Sequence, residues 1–158
     1  MQFNRQEAIQ RMNEMGKKRE PFLFIIDFEA KHTLLIPQPF LNETPYLFKI
    51  NELRNYNIIN TPLEKEVILE KKPIPFSQYQ RAFDYCVKEM NYGNSYLLNL
   101  TFPTPIELNL TLEEVFYHSR AKYKLFVLGH FVCFSPETFV QINDGIISSN
   151  PMKGTISA

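Results

Sequence analysis

Short apolar runs closed by turn-forming residues limit the fold of this chain more than any other feature of its sequence. Residues 22–28 and 33–36 are two such runs on either side of a polar tetrapeptide, and residues 123–128 and 131–134 lie on either side of Gly-His. Runs of this length joined by turn residues are typical of antiparallel β-hairpins. A third hairpin is predicted around residues 143–145, because the sequence Asn-Asp-Gly favours a tight reversal of the backbone.

Three segments instead carry the start and stop signals of helices. Each begins with a residue pair that can form a capping box, namely Asn4 with Glu7, Ser77 with Gln80, and Thr111 with Glu114. The first helix is expected to end at Gly16, the second at Gly93 and the third near Arg120. In the second helix, apolar side chains recur on one face at Tyr79, Phe83, Val87 and Met90.

The remaining segments predict further strands. Strands are expected at residues 46–50 and 96–102, and an edge strand at residues 64–72, whereas residues 51–62 read as a helix or an irregular loop. Three helices and about eight strands, mostly joined as hairpins, indicate the α+β class: a mostly antiparallel sheet with a few helices. A chain of 158 residues suits one domain with a core of its own.

The composition excludes several classes of function. The 17 basic and 17 acidic residues give a formal net charge of zero, which leaves no electrostatic footprint for nucleic acid or an anionic membrane. The amino terminus does not resemble a signal peptide, and no apolar run approaches the length of a membrane span. Cys86 and Cys133 lie among apolar residues without metal-ligand spacing, as expected of buried free thiols. Free thiols indicate a reducing compartment, so we expect a cytoplasmic protein. The three histidines are dispersed, with no carboxylate or cysteine at ligand spacing, so we expect no metal site in this chain.

Two short segments near the end of the sequence bring together a carboxylic acid and a primary amine. Residues 135–137 read Ser-Pro-Glu, and residues 150–155 read Asn-Pro-Met-Lys-Gly-Thr. A carboxylic acid with a raised pKa can donate a proton, and a neutral lysine amine can act as a nucleophile. Taken singly, a glutamate after a proline, such as Glu137, is usually an exposed turn residue, and a lysine before a glycine, such as Lys153, is usually solvated.

Four segments in a fixed order resemble the chorismate-utilising enzymes, and among them the aminodeoxychorismate synthase component I proteins. They are the helix with spaced aromatics, residues 93–100 reading Gly-Asn-Ser-Tyr-Leu-Leu-Asn-Leu, and the two segments just described, in which Met152 replaces the usual isoleucine. The resemblance is strongest over residues 76–158. Anthranilate-forming relatives usually carry alanine at the position of Lys153, so this lysine favours the aminodeoxychorismate branch.

The resemblance implies a fold, a cofactor and partners. Residues 1–158 would form the N-terminal part of a single chorismate-binding enzyme domain of the α/β sandwich type, with the C-terminal half absent. The family's magnesium ligands lie in that later half, so we expect Mg²⁺ to be bound outside this chain, and the chain alone to be inactive. The expected partners are chorismate and a glutaminase component that supplies ammonia. Residues 122–124 read Lys-Tyr-Lys where some relatives bind regulatory tryptophan through Pro-Phe/Tyr-Ser, so no tryptophan binding is expected.

The resemblance also assigns roles to four residues. Glu137 would protonate the C4 hydroxyl of chorismate as it leaves, while Lys153 attacks C2 of the ring; ammonia would then attack C4 and displace the lysine. Gly154 and Thr155 would contact the substrate. Because an unperturbed lysine has a pKa of about 10.4, that of Lys153 would have to be lowered for attack near neutral pH.

Two other functions stay open from the sequence. The chain could be a truncated, non-catalytic relative with a binding or scaffold role, whose uncovered apolar surface would then be buried in another way, for example by self-association. It could also belong to another chorismate enzyme, such as an anthranilate or isochorismate synthase, although Lys153 disfavours anthranilate synthesis.

The register of the last hairpin decides whether Glu137 and Lys153 are expected on the same face. A three-residue loop pairs Ile142 with Ile146 and places Glu137 and Lys153 on one face of the hairpin. A two-residue loop pairs Ile142 with Ile147 and points the two side chains to opposite faces. The second register segregates the polar residues slightly better, but the chemistry prefers the first, and the first is our prediction. Pro136 and Pro151 can also break the ladder before this difference in register matters.

Overall fold

The computed structural model describes residues 2–40, 44–59, 62–134 and 138–149. They group into two compact units, one from Met1–Thr61 and Leu112–Pro136, the other from Pro62–Thr111 and Glu137–Ala158. Three helices and eleven strands are present in these described ranges, and every strand pairing is antiparallel, which confirms the α+β class. The elements in chain order are β1 (Gln2–Phe3), α1 (Arg5–Lys18), β2 (Phe22–Ile26), β3 (Thr33–Pro37), β4 (Tyr46–Ile50), β5 (Leu53–Arg54), β6 (Leu69–Lys71), α2 (Phe76–Tyr92), β7 (Ile106–Leu108), α3 (Leu112–His118), β8 (Tyr123–Val127), β9 (Phe131–Phe134), β10 (Gln141–Asn143) and β11 (Ile146–Ser148).

The first unit contains two antiparallel sheets. One has the strand order β1-β3-β2, and the other has the order β5-β4-β8-β9. The hairpins β2–β3 and β8–β9 form as predicted from the sequence. In the β8–β9 turn, Gly129 adopts a φ of 74°, and the His130 N–H donates to the Val127 carbonyl at 2.9 Å. Residues 51–59 form no helix; apart from the short strand β5 they are irregular.

Helix α1 begins as predicted but ends later. The side chain of Asn4 accepts a hydrogen bond from the Glu7 N–H at 3.0 Å, and the Glu7 carboxylate accepts from the Asn4 N–H at 3.2 Å, which completes the capping box. The predicted end at Gly16 is wrong, because the helix continues to Lys18. Arg19 takes the left-handed conformation instead, at a φ of 57°, and its N–H donates to the Gly16 carbonyl.

The core of the first unit lies where helices meet sheets. Its buried apolar residues are Ala8, Met15, Leu35, Ile36, Phe48, Phe116 and Phe126. Phe116 of α3 is fully buried, and its ring centroid lies 5.6 Å from that of Phe126 and 4.9 Å from that of Tyr56. Aromatic contacts at these separations add to the burial of apolar area, so this cluster fixes α3 against β8.

The second unit is built around helix α2. Its predicted end is confirmed: Gly93 is left-handed at a φ of 93°, and the Asn94 N–H donates to the Glu89 carbonyl at 3.0 Å. Its predicted capping box is wrong, because the helix already begins at Phe76, after Pro75, without a side-chain cap. Pro75 has no N–H and a φ of −56°, which suits a helix start, so Ser77 lies within the first turn.

The strands of the second unit are shorter than predicted. Of the expected edge strand at residues 64–72, only β6 forms, paired with β7. No strand forms over residues 96–102, and Tyr96 is 95% exposed. Alternation along a sequence specifies which face each side chain takes, but a strand also needs a hydrogen-bonded neighbour, and the described residues supply none for this stretch.

The two cysteines are free, as predicted, but neither is fully buried. Cys86 is half-buried and Cys133 is exposed. Cys133 lies on β9, which is the edge strand of its sheet in the part of the chain that the structure describes.

Candidate functional site

The four residues to which the sequence assigns chemistry lie outside the described residues. Glu137, Lys153, Gly154 and Thr155 are therefore known by their sequence and by the described elements that flank them. Strand β9 ends at Phe134, just before the Ser-Pro-Glu segment, and the hairpin of β10 and β11 separates that segment from the Pro-Met-Lys-Gly-Thr segment. The roles of the four residues stay predictions.

The hairpin between the two segments has the register that the sequence analysis did not favour. Ile142 pairs with Ile147 and Asn143 with Ile146. Asp144 and Gly145 form the loop with φ values of 49° and 77°, so both take left-handed conformations. Such a two-residue turn matches the twist of the flanking strands, and Asp-Gly is a favoured sequence for it.

The predicted three-residue register is therefore wrong, and the turn chemistry explains why. Asp144 and Gly145 both tolerate a positive φ, so the two-residue loop forms without backbone strain. The wrong prediction came from requiring Glu137 and Lys153 to share one face. The hairpin alone does not support that requirement, and any approach of the acid to the amine depends on residues beyond β10 and β11.

A lysine that the sequence analysis did not assign to any site is the most unusual ionisable group of the described residues. Lys124 of β8 is only 6% exposed. Its ammonium donates to the Phe116 carbonyl at 2.6 Å and to the Ser119 carbonyl at 3.1 Å, at the end of α3. The last carbonyls of a helix lack partners within the helix and carry partial negative charge, so a buried cation there satisfies them.

Aromatic rings complete the surroundings of Lys124. Its Nζ lies 4.6 Å from the ring centroid of Phe116 and 5.3 Å from that of Tyr56. Burial, and secondarily the positive charge of Lys49 on the neighbouring strand, lower the pKa of Lys124. Burial raises the pKa of Tyr56, and also that of Tyr117. Lys124 therefore holds the end of α3 to the sheet, and its amine is committed to carbonyls instead of being presented to a substrate.

The sequence did contain a signal for this lysine. Strand β8 alternates between half-buried and buried residues, and Lys124 occupies the same buried face as Phe126. A charged residue at the inward position of an apolar strand predicts a buried ionic or hydrogen-bonded contact.

Two cavities of about 230 Å³ each lie in the first unit. One is an apolar groove against strands β2, β4, β8 and β9, lined by Leu23, Phe24, Ile25, Phe48, Lys49, Ile50, Tyr123, Lys124, Leu125 and Cys133. The other lies between α1 and β3 and carries charged side chains, with Phe3, Arg11, Glu14, Met15, Lys18, Glu20, Leu35 and Pro37 as its lining. In the second cavity the Arg11 guanidinium lies 4.5 Å from the Phe3 ring centroid. The carboxylates of Glu14 and Glu20 and the amine of Lys18 line this second cavity, whereas no carboxylate lines the apolar groove.

The metal that the resemblance implies is magnesium. Mg²⁺ prefers oxygen ligands in an octahedral arrangement, usually from one or two carboxylates with water or substrate oxygens. Among the described residues, no group of three histidine, cysteine, aspartate or glutamate side chains is close enough to hold a metal. No helix in those same ranges is long and apolar enough to cross a membrane.

Comparison with known proteins places these elements in a family. Residues 46–158, from β4 through the end of the chain, match the chorismate binding enzyme family. The chain belongs to that family. The match takes in Lys124 and the β10–β11 hairpin, and it also includes Glu137, Lys153, Gly154 and Thr155. The resemblance to chorismate-utilising enzymes that the sequence predicted is thereby confirmed.

Two curated relatives extend the similarity towards the amino terminus. An uncharacterised PabA-like protein of Haemophilus influenzae is 46% identical over 157 residues, which are 99% of this chain and 47% of that protein. An uncharacterised PabA-like protein of Pasteurella multocida is 46% identical over 150 residues, or 95% of this chain and 46% of that protein. The chain thus spans about half the length of the curated relatives it matches. No solved structure matches it.

Proposed function

We propose that this chain is the N-terminal part of an aminodeoxychorismate synthase component I, acting in the cytoplasm on chorismate to make 4-amino-4-deoxychorismate for folate synthesis. The observation that carries the proposal is the family match over residues 46–158, which includes both the Ser-Pro-Glu and the Pro-Met-Lys-Gly-Thr segments. The name of the two relatives, PabA-like, supports the para-aminobenzoate branch. Lys153 supports it too, because it supplies the amine that this branch uses.

The proposed reaction has two displacements. The neutral amine of Lys153 forms a bond to C2 of the ring, the double bond migrates, and the C4–oxygen bond breaks as Glu137 donates its proton, releasing water. Ammonia then bonds to C4, the double bond returns, and the C2–nitrogen bond to Lys153 breaks. The new C4 ammonium group returns one proton to the Glu137 carboxylate. The sum is chorismate plus ammonia giving 4-amino-4-deoxychorismate plus water, with the acid and the lysine regenerated.

The other proposed components act around this pair. Gly154 leaves space for the substrate beside the lysine, and the Thr155 hydroxyl donates a hydrogen bond to a substrate carboxylate. Mg²⁺, held by residues outside this chain, would offset carboxylate charge on chorismate. A glutaminase partner would supply ammonia.

The test uses the polypeptide encoded by the complete reading frame that contains this chain, supplied with chorismate, ammonium and Mg²⁺. Product analysis by liquid chromatography and mass spectrometry should find 4-amino-4-deoxychorismate. With ammonium left out, Lys153 should gain the mass of chorismate less one water. Lys153→Ala should remove both signals, while Lys122→Ala, at an exposed lysine of the same chain, should keep them.

Other products would identify another enzyme. Anthranilate or isochorismate as the main product would contradict the proposal and favour the corresponding synthase. No conversion of chorismate by the complete polypeptide, together with tight chorismate binding, would favour a non-catalytic binding role. The 158-residue chain alone is expected to show no steady turnover, because the residues proposed to hold Mg²⁺ lie outside it.

A further inference from the structure

The cavity between α1 and β3 combines an apolar floor with charges of both signs. Met15 and Leu35, which form its floor, are buried at 9% and 3% exposure. The charged residues of its lining are two cations and two carboxylates, namely Arg11, Lys18, Glu14 and Glu20. We call this space the charged cavity. Because its charges sum to zero, it suits neither a simple anion nor a simple cation.

Helix α1 supplies three of the four charges from one face. Arg11, Glu14 and Lys18 recur at the three- and four-residue spacing that brings side chains onto one side of a helix. Glu14 and Lys18 have the order and spacing that favour an ion pair within a helix. The Glu14 carboxylate instead accepts a hydrogen bond from the Gln10 amide at 2.9 Å, and among the described residues no ion pair joins two members of the charged cavity. These charges are therefore available to a ligand.

The fourth charge is brought to the cavity by the turn that ends α1. Arg19 is left-handed at a φ of 57°, and its N–H donates to the Gly16 carbonyl at 3.0 Å. The Glu20 N–H donates to the Met15 carbonyl, also at 3.0 Å. These two bonds form a Schellman turn, which reverses the chain at the end of a helix. Because the turn fixes the backbone of Glu20, this half-buried residue is held at the cavity.

Arg11 is also held in place by the protein. Its guanidinium carbon lies 4.5 Å from the ring centroid of Phe3, and Phe3 belongs to β1, which pairs with β3. Cation–π attraction of this kind orients a guanidinium while leaving N–H donors at its edge. A carboxylate matches those donors best, because it can accept two parallel hydrogen bonds from the planar fork.

We propose that the charged cavity binds a small zwitterion, namely an α-amino acid with an aliphatic side chain. Arg11 takes the carboxylate, and Glu14 and Glu20 take the ammonium group. Three residues of helix rise by about 4.5 Å, so Arg11 and Glu14 can reach two charged groups that are carried on one carbon atom. Lys18 balances the second carboxylate, so the filled cavity stays neutral.

The floor and the size of the cavity define the rest of the ligand. Met15 and Leu35 offer an apolar surface to an aliphatic side chain, whose burial is favourable. The cavity volume of about 230 Å³ is below the range of roughly 300–1,000 Å³ that is usual for drug-sized ligands, so the ligand must be small. The inference concerns binding at α1 and does not depend on the reaction proposed above.

Calorimetric titration with leucine tests the proposal without an activity assay. The protein is the polypeptide encoded by the complete reading frame that contains this chain. One leucine should bind per polypeptide, and hydrogen exchange of the α1 amides should slow on binding. Isocaproate lacks the ammonium group of leucine and isoamylamine lacks its carboxylate, so each should bind at least about tenfold more weakly, because two charged groups of the cavity then lose their partner.

Substitutions locate the binding and separate the two charges. Arg11→Gln should weaken leucine binding at least about tenfold and leave isoamylamine unchanged, because only the carboxylate loses its partner. Glu20→Gln should weaken leucine binding and leave isocaproate unchanged. Arg5→Gln makes the matched change at an exposed arginine of the same helix outside the cavity, and should alter the affinity for leucine by less than about twofold.

Four outcomes would overturn the proposal. The first is no heat of binding at leucine concentrations up to about 10 mM. The second is an equal loss of affinity in Arg11→Gln and Arg5→Gln, which would place the leucine elsewhere. The third and fourth are binding of isocaproate or of isoamylamine as tight as that of leucine, which would make the cavity a site for anions or for cations.

Discussion

A comparison of helices α2 and α3 shows that an amphipathic pattern does not by itself determine whether a helix is buried. Helix α3 has 7 residues and fully buries Phe116 against β8, whereas α2 has 17 residues and buries none. Helix α2 has the longer apolar stripe, so pattern strength does not explain the difference. What differs is the neighbour: α3 lies on a four-stranded sheet, and the described residues of the second unit provide only two-stranded ones. Two-stranded hairpins are marginal on their own and offer little surface for a helix.

The largest effect is expected for α3, the helix that is buried against its sheet. Phe116→Ala should lower the free energy of unfolding of the first unit by about 3–5 kcal/mol, because it removes a fully buried ring and leaves a cavity. Urea unfolding followed by tyrosine fluorescence measures this. A loss below about 1 kcal/mol would mean that Phe116 is not the centre of the core.

A smaller effect is expected for Lys124, which binds the carbonyls at the end of α3. Lys124→Ala should cost about 1–3 kcal/mol, because the buried Phe116 carbonyl loses its charged donor. Lys49→Ala, on the paired strand, serves as the control and should cost less. Equal losses for the two variants would show that general packing matters here and the bonds to the α3 carbonyls do not.

The same lysine predicts a dependence of stability on pH. Its pKa is lowered from 10.5, so between the folded value and 10.5 the unfolded state binds more protons and stability rises with pH. The pKa of Tyr56 is raised from 10.0, so above pH 10.0 the folded state holds its proton longer and stability falls. Lys124→Met should remove the rise, and Tyr56→Phe should weaken the fall. Unfolding midpoints on the alkaline side of neutrality measure both, and an unchanged profile in Lys124→Met would contradict the assignment.

Asn4 offers a local test at the start of α1. Asn4→Ala should lower stability by about 1 kcal/mol, because the Glu7 N–H loses its acceptor. Asn4→Ser should keep most of that stability, since a serine hydroxyl can also accept a hydrogen bond from the first turn of the helix. Urea midpoints of the two variants decide, and equal losses would contradict a capping role.

The smallest effect is expected for α2, the helix with no buried residue. Phe83→Ala should change the stability of the isolated chain by less than about 1 kcal/mol, since the side chain is 44% exposed and packs little. Circular dichroism melting compares it with Phe116→Ala. A loss equal to that of Phe116→Ala would erase the difference between the two helices.

Local signals in the sequence predicted the elements of the fold well. The capping box at Asn4, the left-handed Gly93 and the β2–β3 and β8–β9 hairpins all depend on residues close in sequence, and each formed. The expected strand at residues 96–102 failed because pairing needs a partner that the pattern itself does not contain.

The candidate site was harder to predict than the fold, for a similar reason. The predicted hairpin register is wrong because the turn preference of Asp144 and Gly145 determines the pairing, and a common face for Glu137 and Lys153 does not. The inward position of Lys124 on an apolar strand predicts its burial, but its partners, carbonyls at the end of α3, are backbone groups that no side-chain motif identifies. Sequence motifs identified the family correctly, but the distances within a site are set by tertiary structure.

The strand order β1-β3-β2 has a consequence for handling the protein. It leaves β2, with the sequence Phe-Leu-Phe-Ile-Ile, at the edge of its sheet, and Phe24 and Ile26 are about half exposed there. An uncharged, proline-free strand of this kind is a template for pairing with other chains, and so for aggregation during expression. A lysine in place of Ile26 would act as a gatekeeper charge on that edge, and soluble yield should rise without any change in the core.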